Sequence, residues 1–184
     1  MNIFATDINP IKAARDLCDQ HVRSKMIVES AQLLQNGFPQ EVLNSDECPK
    51  TQKGRPRKSG WAHHPCSKWV VASKSNFIWL LRHALEMCRE RERRWPNSNP
   101  HFSETFLQWV VKNLDKATLV PNGDITPFAI AINNEKNCRK IQLFEKWDPI
   151  KKYKAYIALD KPFATWTNSK KPIWVTNFQS LHLH

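Results

Sequence analysis

Between Asp19 and Leu34 the chain carries a helical segment that is apolar around most of its circumference. It nevertheless bears one narrow polar stripe of His21, Lys25, Glu29 and Gln32. At about 100° per residue these four fall within roughly 80° of one another. Val22, Met26 and Leu33 flank one side, while Ile27, Ala31 and Leu34 cover much of the back. A helix with that little polar surface belongs at the centre of a core. An acid, an ammonium and an imidazole lined up there are expensive to desolvate unless they have partners or open onto a cleft. The segment therefore says where the core lies and where a site should be sought.

The remaining periodicity is also helical. Ile3 and Phe4 open a short extended N-terminal segment, and Asn9-Pro10 reads as an N-cap for a short helix through about Leu17. Asn36-Gly37 supplies the C-terminal stop of the striped helix. From Phe38 to Gly60 the chain is polar, basic and Pro-containing, which predicts a mobile loop insert over residues 38–60. A long helix is expected from about Pro65 to Arg93, with Cys66, Trp69, Val70, Phe77, Leu80, Leu81, Ala84 and Cys88 on one face. Lys68, Ser75, Arg82 and Glu86 lie opposite, and Arg89–Arg94 reads as a solvated tip. Ser103 caps a further helix through about Lys116 with Phe106, Leu107, Val110, Val111 and Leu114 inward, and Asp148-Pro149 opens another carrying Tyr153, Tyr156 and Ile157. Val120–Ile132 is loop-rich, and the tail from Lys161 should be irregular. The expectation is a mainly α, compact single domain over residues 1–184 with irregular loops.

Charge narrows the partner. Twenty-eight Lys and Arg against seventeen Asp and Glu leave a net charge of +11, which points to a polyanion, most simply nucleic acid. The basic residues do not collect on one amphipathic helix, so a membrane surface is not the expected partner. No apolar run is long enough to span a bilayer and no signal-peptide pattern opens the chain, so a cytoplasmic protein is expected, in the host cytoplasm if phage-encoded. Five scattered Cys without a Cys-x-x-Cys pair read as reduced thiols, and neither a structural metal nor a cofactor is expected.

Four segments could carry chemistry. In the stripe, Glu29 could serve as a general acid or base or stabilise developing positive charge. Lys25 could contact phosphate or act as an amine nucleophile, and His21 could orient or shuttle. The bland alternative is an i,i+4 ladder on a solvated face. His63-His64-Pro65-Cys66 stands at a helix N-terminus, which attracts phosphate, with metal ligation or a Cys66 nucleophile as rivals. Lys53-Gly54-Arg55-Pro56-Arg57-Lys58 resembles the core of an AT-hook, whose extended backbone lets Arg enter the minor groove. After Lys151, rings and cations interleave as Tyr153, Tyr156, Trp166, Lys170, Lys171 and Trp174, a composition suited to unpaired DNA, although Trp166 and Trp174 read better as packing residues. The candidate DNA contacts are Arg23, Gln32, Arg55, Arg57, Lys58, His63, His64, Lys68, Lys170 and Lys171.

Asp19-Gln20-His21 with Glu29 downstream is similar to the glutamate-bearing helix of the phage-type pyrimidine-dimer DNA glycosylases with abasic-site lyase activity, the endonuclease V type. The stretch from His64 through Trp69 and Phe77 to Cys88 resembles that family's long core helix, and the basic, Tyr-rich region after Lys151 its aromatic C-terminal end. The likeness implies a helical fold that clamps kinked double-stranded DNA and flips out a damaged or modified base, with no cofactor and as a monomer. It also implies attack on C1′ by the chain's own α-amine to give an imine, with Glu29 in the place of the assisting glutamate. An α-amine has an ordinary pKa near 8 and so a neutral fraction at pH 7. Two departures stand out. Residue 2 is Asn2, whose size discourages removal of the initiator Met, so the amine would be that of Met1. The spacing from Asp19 to Glu29 is also one residue longer than the family's. The catalytic set is thus Glu29, Lys25, His21 and Met1. Behind the glycosylase/lyase stand a non-enzymatic basic DNA-binding protein and a phage base-modifying transferase, the latter weakened by the lack of a phosphate-cradling Gly loop among four Gly. A metal-dependent nuclease ranks last.

Overall fold

The computed structural model describes residues 1–182, and among these the chain forms eight α-helices and no strand. They are α1 (Pro10–Asp16), α2 (Met26–Leu34), α3 (Gln40–Asn44), α4 (Pro65–Ala72), α5 (Lys74–Arg94), α6 (Glu104–Lys112), α7 (Pro149–Asp160) and α8 (Ile173–His182). A π-helical turn, His21–Lys25, runs directly into α2, and a 3-10 turn, Gln35–Gly37, closes it. The fold is mainly α, as the periodicity predicts.

Helix α5 is the axis of the body and packs against α1, α2, α4 and α6, while α7 packs against α8. Two of the three expected start signals operate, while Ser103 precedes α6 in a helical conformation and makes no side-chain cap bond. Asn9 Oδ1 accepts from the N–H groups of Ile11 and Lys12 ahead of α1, and Asp148 accepts from Lys151 N–H ahead of α7. The apolar residues assigned to α2 are buried, from Val22 and Met26 to Leu34. The first six residues form an extended arm threaded into the core, with Ile3, Ala5 and Thr6 fully buried.

The structure corrects several expectations. The long helix over 65–93 is two helices, because Ser73 takes an extended backbone (φ −157°, ψ 155°) and its hydroxyl caps Asn76 N–H. The freed N–H groups of Lys74 and Ser75 are taken by the Pro121 and Gly123 carbonyls. Glu86, expected opposite the core face, is buried and paired with Arg15 and Arg89. The tip is not wholly solvated either, since Glu90 and Arg94 are buried and bonded to each other. Helix α6 stops at Lys112 with Val111 exposed, and a 3-10 turn Leu114–Lys116 follows. The tail from Lys161 is irregular only as far as α8.

The basic insert 38–60 is anchored to the body. It contains α3, and Phe38, Leu43, Cys48 and Arg57 are buried within it. Thr51–Arg55 closes into a turn through Gly54 N–H to Thr51 O and Thr51 N–H to Arg55 O, with Gly54 at φ +71°. The Gly-Arg-Pro segment is therefore not the extended arm that an AT-hook requires.

The loop Val120–Ile132 is held from inside. Asn76, fully buried, donates to Trp69 O and Thr126 Oγ1 and accepts Thr126 N–H. Tyr153 hydroxyl donates to Ala129 O and accepts Ala131 N–H. This brings residues 129–131 beside the N-terminal arm.

Candidate active site

The N-terminal arm, the π-helical turn and the first turn of α2 enclose one side of a cleft of about 280 Å³. Asn2 fixes the arm: its Nδ2 donates to Ala131 O and its Oδ1 accepts from Ile3 N–H. Its backbone N–H donates to Glu29 Oε2 at 2.9 Å. The α-amine of Met1 stands 4.0 Å from the same oxygen, and the Met1 and Glu29 side chains are only 6% and 15% exposed. An amine and a carboxylate thus share one half-buried corner of the cleft.

The stripe is divided by its surroundings. His21, Lys25 and Glu29 line this cleft, whereas Gln32 lines a neighbouring groove. His21 is buried and stacked on Phe4 with ring centroids 4.2 Å apart. Burial, with the Lys161 and Lys25 charges and His83 adding to it, holds His21 at about 3, so the ring is neutral at pH 7. Lys25 is exposed. Phe4 sits at φ +42°, a left-handed conformation that costs a bulky residue about 1–2 kcal/mol, and stacks on Tyr156 as well. That strain turns the Phe4 ring into the cleft wall between His21 and Tyr156.

The opposite wall comes from the C-terminal half, and sequence reasoning did not single it out as part of the site. Lys161 stands with its ammonium 4.8 Å from the Tyr156 ring centroid and 5.8 Å from that of Phe163. Phe163 is half exposed at the rim. Both follow α7 in an irregular stretch, where no periodicity marks a residue's facing. The interleaving of rings and cations was the available signal, and it named Tyr156, which lines the cleft, but its other members lie elsewhere. Tyr153 is fully buried, and Trp166 and Trp174 are half-buried with their indole N–H groups donated to Asp16.

Other expected site residues do not line this cleft, although His64 stands near enough to feel the charges of the Met1 amine and Glu29. Arg57 is a correction: its guanidinium is buried over the Phe106 ring at 4.2 Å and donates to the Pro49 and Lys50 carbonyls. His64 caps α4 through its Nδ1, which accepts Cys66 N–H. Burial, and then the Met1 amine, lower its pKa. Cys66 is buried and its thiol pushed up to about 12, mainly by desolvation, which removes it as a nucleophile at neutral pH. Cys18, Cys48, Cys88 and Cys138 are likewise buried and unpaired. Arg23 lies over the Trp95 ring, and Arg55, Lys58, His63, Lys68, Lys170 and Lys171 are exposed outside the cleft. No helix among the described residues is long and apolar enough to cross a membrane.

A helical body of high positive charge, with a cleft that sets an amine beside a carboxylate, has the makings of a DNA-processing protein. Family comparison makes this specific. Residues 1–103 match the family of pyrimidine dimer DNA glycosylases, and the chain belongs to that family. Membership gives the coarse activity, a DNA glycosylase with DNA as substrate. No curated protein and no solved structure matches the chain. The matched segment supplies Met1, Asn2, His21, Lys25 and Glu29, while Ala131, Tyr156, Lys161 and Phe163 come from beyond it.

Proposed function

We propose that the protein excises a damaged or modified pyrimidine through an imine intermediate and then cuts the strand at the abasic site. The observation that carries this reading is the 4.0 Å approach of the Met1 α-amine to Glu29 in a cleft. The neutral amine attacks C1′, the base departs with the glycosidic bonding pair, and opening of the sugar ring gives an imine joined to the chain. Glu29, as proton acceptor, then removes a C2′ proton, and the 3′ phosphate leaves by β-elimination. Lys161 at one wall and Lys25 at the mouth neutralise phosphates on either side. Lys25 is exposed, a setting for a phosphate ligand rather than a desolvated nucleophile. His21, neutral and stacked, holds Phe4 in place. Arg23, Arg55, Lys58, His63, Lys68, Lys170 and Lys171 contribute phosphate contacts on the surface of a monomer bound to duplex DNA.

One distance supports a variant of this reading. The nitrogen hydrogen-bonded to Glu29 is that of Asn2, at 2.9 Å, so removal of Met1 would turn it into an α-amine already in place.

Borohydride trapping on duplexes carrying a photodimer or a modified pyrimidine, followed by peptide mapping, tests the proposal. The expected adduct is on the N-terminal residue, and intact mass tells whether that is Met1 or Asn2. Base release without a trapped adduct, or an adduct on Lys25, would overturn the assigned nucleophile. Binding without base release would favour a DNA-binding protein that lacks the chemistry.

A further inference from the structure

A second groove, of about 440 Å³, runs along the flank of α2 next to the catalytic cleft. Gln32 forms part of its wall three residues beyond Glu29, so the two concavities open within one helical turn of each other along α2. Every charged residue lining the groove is cationic: Lys53, Arg55, Arg57 and Lys58. Arg57 is engaged internally, while the other three are exposed. Two large rings stand in the same wall with much of their surface in solvent, Trp61 at 68% and Phe102 at 41%.

This wall is built rather than loose. Gly60 N–H donates to Asn36 Oδ1, and His64 N–H donates to Trp61 O. Between those two anchors Trp61 takes φ +60°, the left-handed region that a bulky side chain avoids. The fold holds an indole in a strained conformation and leaves it facing out.

We propose that this groove is a track for single-stranded DNA continuous with the catalytic cleft, in which Trp61 stacks an unpaired base and Lys53, Arg55 and Lys58 hold its phosphates. The inference rests on the DNA reading above. The argument is one of paired requirements. Exposed phosphates need cations, and unpaired bases need flat apolar faces; single strands present both at once. An intact duplex satisfies the cations alone, because its bases are stacked inside, and an acidic peptide gives the indole no base to stack on.

The test compares short oligo-dT with a plain duplex of equal length at one fixed salt concentration, using the full chain and its Trp61→Ala and Trp61→Phe variants. Trp61→Ala should weaken oligo-dT binding roughly tenfold and leave duplex binding unchanged, with Trp61→Phe recovering most of the loss. Unchanged thermal unfolding of both variants confirms that the exposed ring is not needed for folding. Equal losses on both probes, or no loss on oligo-dT, overturn the track while leaving the glycosylase reading standing. A wild-type chain that binds neither probe overturns both.

Discussion

Arg94 reaches back 75 residues to Asp19, with Nη1 and Oδ1 3.1 Å apart, and ties the end of α5 to the turn that leads into the helix bearing Glu29. The same guanidinium, fully buried, donates to the Leu17 and Arg15 carbonyls and to Glu90. Asp19 in turn accepts from the hydroxyls of Thr165 and Thr167 and from Thr167 N–H. Burial alone would raise the Asp19 carboxyl, but these bonds and Arg94 bring it below its usual value.

Arg94→Met should therefore destabilise the fold by about 3–5 kcal/mol, because it leaves Asp19 without its buried countercharge and orphans the Leu17 and Arg15 carbonyls, while Glu90 keeps Arg93. Urea denaturation of the variant beside Asp19→Asn checks it. A loss under 1 kcal/mol would show that the clamp carries little of the stability.

Glu29→Gln keeps the size of the side chain and can still accept Asn2 N–H through its amide oxygen, yet it removes the proton acceptor beside the amine. Strand cleavage on a lesion-bearing duplex should fall by at least about a hundredfold, while gel-shift affinity for the same duplex stays within a few-fold. Parallel loss of both would assign the residue to architecture.

Acid should unfold this protein early. His21 and His83 are both held at about 3, His21 by burial and then by Lys161 and Lys25, His83 by burial alone. His83 is fully buried, stacked on Trp79, and neither ring nitrogen has a protein partner. The unfolded chain binds these protons near pH 6.5 and the native state does not. Stability is thus complete above about pH 6.5 and falls toward pH 3 by up to about 1.4 kcal/mol per pH unit for each ring. Urea midpoints measured from pH 7 to pH 4 should decline steadily, and His83→Leu should flatten the slope.

Gly37 was read as a helix stop, and the 3-10 turn after α2 does end there, but what requires a glycine is close approach. A Cβ there would stand 2.5 Å from Phe77 Cε2 and 2.9 Å from Val120 Cγ2. Both are packed side chains, so Gly37→Ala should cost about 1–3 kcal/mol, readable as a lower Tm by calorimetry.

Lys161→Ala should lower the slope of log affinity against log salt by about one on duplex DNA, the signature of one lost phosphate contact. Lys12→Ala serves as the control, since Lys12 is exposed, away from the cleft and paired with Asp7. Its slope should stay at the wild-type value.

The helices were legible where the signal is local. Asn9-Pro10 and Asp148-Pro149 name their own caps, and the apolar back of α2 can only be core. Glu29 was legible because a carboxylate in such a helix needs an explanation. Ser73 was missed because the apolar periodicity runs through it, and only the loop at Pro121–Gly123, far along the chain, supplies acceptors for the freed N–H groups. Arg57 was misplaced because composition cannot distinguish a cation in solvent from one lying over Phe106. Lys161 and Phe163 were missed because their facing is set by the docking of α7, a contact between distant segments.

The π-helical turn at His21–Lys25 fits one residue more between Asp19 and Glu29 than a plain α-helical turn would hold. A helix that widens for one turn takes up an inserted residue locally and returns to its ordinary pitch by Met26. Asp19 is clamped to Arg94 on one side of the turn and Glu29 stands beside the amine on the other. The turn is slack held between two fixed points and touches neither anchor. Deleting one residue there should restore a plain α-helix and leave both ends in register.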